Sequence, residues 1–158
     1  FIDIYPYDGL GTTEKEAVTY GMKGDRLSSL CYQSTREHFA IETTTSLFRK
    51  IIKYPIFIGS KLIGKDYFQK KLNQLVELKE YEDSNYIGCV VWLSGGKKEI
   101  FLRKWFDETV MVPFEKYQFR VPKDYDEVLR HTYGDYMQLP PEKDRIGHHY
   151  FKAYRKDE

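Results

Sequence analysis

The stretch Tyr86-Ile87-Gly88-Cys89-Val90-Val91-Trp92-Leu93 is dense in β-branched, aromatic and aliphatic residues. It is fenced by Asp83-Ser84-Asn85 on one side and Ser94-Gly95-Gly96 on the other. An apolar run held between turn-forming clusters predicts a buried strand. Segments with helical spacing lie on both sides of it, so the expected fold is α+β, a small sheet with several packed helices in a single domain over residues 1–158. A chain of 158 residues can bury a sizeable core without disulfides, roughly 68 to 70% of the surface its unfolded form exposes.

Before that run, Phe1-Ile2-Asp3-Ile4-Tyr5-Pro6 alternates as a short strand, and Tyr7-Asp8-Gly9 reads as the turn after it. Thr12 or Thr13 is a candidate helix N-cap followed by Glu14 and Glu16, which suit the positive end of a helix. Gly21 and Gly24 weaken the middle of the segment up to Arg36, so two shorter helices or one kinked helix are expected. Leu47, Ile51 and Tyr54 have helical spacing and Pro55 is expected to end that helix. From Ile63 to Tyr81, Tyr67, Leu72, Leu75, Val76 and Leu78 gather on one side of a 3.6-residue period, predicting an amphipathic helix. Further on, Val110–Phe114 and Tyr117–Val121 read as two short strands joined by a tight turn. Asp124 then caps a helix ending at Gly134.

Charge is almost balanced, 25 Lys plus Arg against 24 Asp plus Glu, which argues against a non-specific nucleic-acid binder. No apolar run approaches the roughly 18 residues that a spanning helix needs. Cys31 and Cys89 lack the close Cys/His spacing of a zinc site and are expected to be reduced thiols in a cytosolic setting. The chain begins without Met, directly on an apolar strand pattern, and is expected to be a processed or shortened chain.

Several residues could carry chemistry. Asp3, flanked by apolar strand positions, either lies on a solvated face or projects into a polar cleft; in a cleft it suits a magnesium ion, which takes oxygen ligands. Asp8-Gly9 is read as turn chemistry alone. The stretch Tyr133-Gly134-Asp135-Tyr136-Met137 is a helix stop that also presents two Tyr hydroxyls and an Asp from a rigid turn. His148 and His149 offer metal ligation or acid–base chemistry, although adjacent side chains tend to diverge. The 14 Tyr, 10 Phe and 2 Trp invite a cation–π site for a cationic head group. Trp92 is expected in the core and Trp105, beside Arg103-Lys104, at a rim. Lys97-Lys98 and Arg103-Lys104 suit either a diphosphate or a solvated surface, and Gly95-Gly96-Lys97-Lys98 lacks P-loop spacing.

In order along the chain, Phe1-Ile2-Asp3-Ile4-Tyr5-Pro6-Tyr7-Asp8-Gly9-Leu10, Asn85-Tyr86-Ile87-Gly88, Trp105-Phe106, Val121-Pro122 with Tyr125 and Leu129, Tyr133-Gly134-Asp135-Tyr136-Met137, Pro140-Pro141 and His148-His149 resemble the LicD family. That family includes bacterial phosphocholine transferases and is related to fukutin and fukutin-related protein. The resemblance implies a nucleotidyltransferase-like fold that uses Mg2+ or Mn2+ to move phosphocholine, or a similar phosphorylated group, from a CDP-choline-like donor to a cell-surface glycan or teichoic-acid precursor. It implies a catalytic, metal-binding role for Asp3 and substrate contacts at Trp105, Tyr133, Asp135, Tyr136 and His148. The family's remaining metal ligands are expected upstream of residue 1, so this chain by itself is expected to be inactive. A cytoplasmic location is expected, with a peripheral place at the inner face of the membrane. The competing expectation is a non-catalytic module that binds choline or sugar, or serves in assembly.

Overall fold

Gly21 and Gly24, the apparent weak points of the first helical segment, are where the chain at Val90 and Leu93 packs tightly against it. The computed structural model describes residues 4–39, 46–93, 96–139, 141, 142 and 145. In it Glu14–Thr35 is one continuous helix, α1. Both glycines are buried on it: a Cβ on Gly21 would sit 2.7 Å from Leu93 Cδ2, and one on Gly24 would strike the Val90 carbonyl. The helix therefore accepts glycine's propensity cost, about 1 kcal/mol each, because the backbone after the sheet must approach it. Thr13 caps α1, accepting from the Glu16 N–H at 3.3 Å, while Glu16 reaches back to the Thr12 N–H at 3.0 Å. This reciprocal arrangement satisfies two end donors.

The opening strand expected at residues 1–6 is not where pairing occurs. Residues 1–3 lie outside the described residues, residues 4–7 carry no regular structure, and the strand β1 is Asp8–Gly11, across the expected turn. β1 pairs antiparallel with β2, Tyr86–Gly88, which pairs antiparallel with β3, Phe101–Leu102. The long strand expected over residues 86–93 thus stops after three residues. Cys89, Val90 and Leu93 are buried all the same, folded over α1. Their apolar character serves the core and not a ladder. Leu10, Ala17, Leu75, Val90, Leu93 and Ile100 form that core.

Helix α2, Leu47–Ile63, runs through Pro55 and does not end at it. Pro55 denies a partner to the Ile51 carbonyl, but Ile51 is 65% exposed, so water can take that bond. Gly64, at φ 88°, separates α2 from α3, Lys65–Val76. The buried stripe of α3 is Phe68, Leu72 and Leu75; Tyr67 and Leu78, expected on it, are exposed. The hairpin is as expected: β4, Thr109–Phe114, and β5, Tyr117–Pro122, pair in register around Glu115-Lys116, where Glu115 takes φ 52°. Helix α4, Tyr125–Tyr133, has Asp124 as N-cap and Gly134, at φ 72°, as C-cap. The architecture is α+β, with four helices and two small antiparallel sheets among the described residues.

The link between β2 and its neighbours is knitted by Ser84, Asn85 and Arg103. The Gly11 N–H donates to the buried Ser84 Oγ, the Asn85 N–H to Gly11 O, and Arg103 Nε to Ser84 O, at 3.2, 3.0 and 2.9 Å. No described helix is long and apolar enough to cross a membrane. Cys31 and Cys89 are free thiols.

Candidate functional site

Helix α4 is fastened at its C-terminal end to the 3₁₀ turn Gly96–Glu99. His131 Nε2 lies 3.0 Å from Lys97 O, and Thr132 Oγ1 lies 3.5 Å from Lys98 O. This contact brings Tyr133 at the end of α4 to a cleft of about 350 Å³ that Tyr5, Tyr7, Trp92, Glu99 and Phe101 also line. That volume falls in the range of ligand sites, roughly 300–1,000 Å³. The walls are aromatic. Tyr7 stacks on Phe101 with centroids 5.4 Å apart and meets Phe106 edge-on at 5.5 Å. Trp92 is 53% exposed at the cleft, which corrects its expected place in the core. The chain leaves the sheet at Gly88, so Trp92 sits on a turn facing out while Leu93 takes the inward position.

One charge lines these walls. Glu99 Oε2 is shielded from solvent and has no hydrogen-bond partner among the described residues. A carboxylate oxygen held so is costly unless a cation or donor meets it. Its field is felt nearby. Burial pushes the Tyr7 hydroxyl up, and Cys89, Glu99 and Tyr133 add to the effect. Burial also pushes the Cys89 thiol up, against lowering by the Val91 and Trp92 backbone, with Asp8 and Glu99 adding. Cys89 is itself buried, and that burial favours its neutral thiol.

On the other face of α4, Trp105 lies half-buried against the His131 ring, with centroids 5.5 Å apart, in a second cleft of about 310 Å³ lined also by Tyr86 and Lys97. Lys97 is already paired with Glu14 at 2.8 Å. Trp105 is therefore at a rim, as expected, but apart from Tyr133. Tyr136 gives its hydroxyl to Asp126 at 2.6 Å, and Asp126 also accepts from Arg130 at 2.7 Å. Arg130 and then Tyr136 hold the Asp126 carboxyl below its usual range. Asp135 is exposed in the turn after α4. Asp3, His148 and His149 lie outside the described residues.

A larger groove, about 490 Å³, runs along α1 past Lys15, Lys23 and Lys79, but it is open and carries one aromatic ring, Tyr20. Among the described residues no three His, Cys, Asp or Glu side chains converge on a point that could hold a metal ion. The magnesium ligand expected from the sequence, Asp3, is not among the described carboxylates. Sequence reasoning missed Glu99, which follows Lys97-Lys98 and reads as solvated charge, and His131, whose partner is a backbone oxygen 34 positions away.

Over 156 residues the chain is 33% identical to a lipopolysaccharide cholinephosphotransferase, LicD, of Haemophilus influenzae, a match covering 98% of this chain. This chain is a homologue of LicD. It spans 56% of that relative's length. No family model matches the chain, and no solved structure matches it.

Proposed function

We propose that this chain is part of a LicD-type transferase that moves phosphocholine from a CDP-choline donor to a glycan precursor of lipopolysaccharide or teichoic acid, on a nucleotidyltransferase-like fold. The observation that carries the reading is the aromatic cleft lined also by Glu99, whose shielded Oε2 has no hydrogen-bond partner among the described residues. A trimethylammonium group has no N–H to donate. It is held by aromatic faces, at about 0.5–2 kcal/mol each, and by a negative potential that needs no hydrogen-bond geometry. Tyr7, Trp92 and Tyr133 supply the faces and Glu99 the potential.

In the proposed reaction an acceptor hydroxyl attacks the phosphorus that bears choline. The new O–P bond forms as the P–O–P bridge breaks, the hydroxyl proton is released and CMP leaves. Asp3 keeps its proposed role as catalytic carboxylate with a divalent cation, and His148 its proposed substrate contact. Trp105, Asp135 and Tyr136 are proposed nearer the acceptor side than the choline cleft. The reaction is proposed to take place in the cytoplasm.

The test is calorimetric titration of this chain with CDP-choline, CDP-ethanolamine and CDP-ribitol. CDP-choline is expected to bind tightest, and Glu99→Gln and Trp92→Ala each to weaken it roughly tenfold. Equal binding of the three donors, or full affinity in both variants, would overturn the reading. Choline binding that persists without any magnesium-dependent turnover, when the longer protein is assayed, selects the binding-module alternative. In that assay Asp3→Asn is expected to abolish turnover, and an unaffected rate removes Asp3 from the mechanism.

A further inference from the structure

Helix α2 is apolar on the side that faces away from the protein. Leu47, Ile51, Pro55, Ile58 and Leu62 follow one line along it at about 100° per residue, and Leu47, Ile51 and Leu62 are 75%, 65% and 84% exposed. Phe48, Ile52 and Ile63 widen that face and are exposed as well. The opposite half carries Phe57 and Ser60, both buried against the fold. Folding leaves an apolar surface of this kind exposed only where something else is to cover it.

The charges of α2 indicate what that is. The helix has Arg49, Lys50, Lys53 and Lys61 and no acidic residue in its 17 positions. All four cations fall on the half of the helix that bears Phe57 and Ser60: Arg49, Lys50 and Lys61 stand towards the two borders of the apolar face, and Lys53 lies opposite it. Lys61 extends across the Phe57 ring, 5.4 Å away, towards the Glu37 carbonyl at 3.3 Å. An apolar arc turned outward, with cations along its protein-side edges, is the pattern of a helix lying in a bilayer interface. The helix is roughly 25 Å long, short of the ~30 Å hydrocarbon core, and its cations would oppose insertion across it.

We infer that α2 docks this protein on an anionic lipid surface, with Leu47, Phe48, Ile51, Ile52 and Leu62 among the acyl chains and Arg49 and Lys50 at the phosphates. The inference is independent of the transferase reading, because it uses no residue of the aromatic cleft. A second copy of the chain could cover the same apolar face, but it would bring the same cations and no compensating acid on the helix.

The experiment is co-flotation of this chain with vesicles of phosphatidylcholine alone and of phosphatidylcholine mixed equally with phosphatidylglycerol. Binding is expected only to the anionic vesicles and is expected to fall with added salt. Arg49→Gln combined with Lys50→Gln should weaken partition roughly 30-fold. Ile51→Glu with Leu62→Glu should abolish it while far-ultraviolet circular dichroism stays unchanged, since both side chains are exposed. Lys104→Gln with Lys116→Gln, on other elements, should leave it intact. Failure to float with anionic vesicles, or equal binding to both vesicle types, overturns the inference. So does a lipid-free dimer that Ile51→Glu dissociates, which would assign the face to a second copy.

Discussion

His131 Nε2 lies 3.0 Å from the main-chain oxygen of Lys97. A carbonyl oxygen only accepts, so the ring carries its proton on Nε2 and donates it there. The end of α4, with Tyr133, is thereby fixed to the turn that carries Glu99, and two walls of the aromatic cleft share one anchor. His131→Phe keeps the ring packing against Phe101 and Trp105 and removes the bond. Urea denaturation is expected to show a loss of about 1 kcal/mol, and CDP-choline affinity should fall with it. An unchanged midpoint would mean the anchor is not formed in solution.

Two glycine substitutions should act in opposite directions. Gly24→Ala drives a methyl group into the Val90 backbone and is expected to cost at least about 1–3 kcal/mol. Gly59→Ala, inside α2 with open space around the new methyl, is expected to add about 0.5–1 kcal/mol. Thermal unfolding of the two variants beside the parent checks both signs.

Asp8 gives a pH dependence. Burial raises its folded carboxyl above the ordinary value, so its contribution is most favourable in acid and is lost as pH climbs through the folded value. Asp8→Asn should therefore stabilise the protein more, relative to the parent, at pH 7 than at pH 3. Chemical denaturation at the two pH values measures that difference, and an equal effect at both would rule out a shifted Asp8.

Tyr136→Phe separates a holding role from a binding one. Its hydroxyl is engaged with Asp126, so the variant is expected to lower the unfolding midpoint while CDP-choline affinity in the cleft stays within twofold, roughly the scatter expected for a site it does not touch. The Asp126 contribution, lowered by Arg130 and then Tyr136, is present above the ordinary carboxylate range and is lost on acidification. The deficit of Tyr136→Phe should therefore shrink in acid, as circular dichroism melts at several pH values would record.

What the sequence made legible was whatever is decided by neighbours in the chain. The β4–β5 hairpin and α4 have their turn residues and caps within a few positions, and both were found where expected. Pro55 misled because a proline ends a helix only if the freed carbonyl lacks another partner, and exposure of Ile51 is a property of the fold. The run after Gly88 misled for a related reason. Buried strands and buried turns are equally apolar, and only the contact of Val90 and Leu93 with the α1 glycines tells them apart. Glu99 was invisible because its burial depends on elements far away in sequence. Asp3, on which the resemblance laid most weight, and His148 lie outside the described residues, so the proposed choline cleft rests on Glu99, Trp92 and Tyr133.

The β4–β5 hairpin pairs closely with itself and scarcely touches the remaining described elements. Two strands alone are marginal in water, and this pair is closed at its base by Lys123 with Glu108, whose ion pair spans 2.8 Å. Its amides should therefore exchange with deuterium through local opening, well ahead of those in α1. The hairpin is expected to open without the helices, so a reporter dye attached near Lys116 would sense that opening and leave the helices undisturbed.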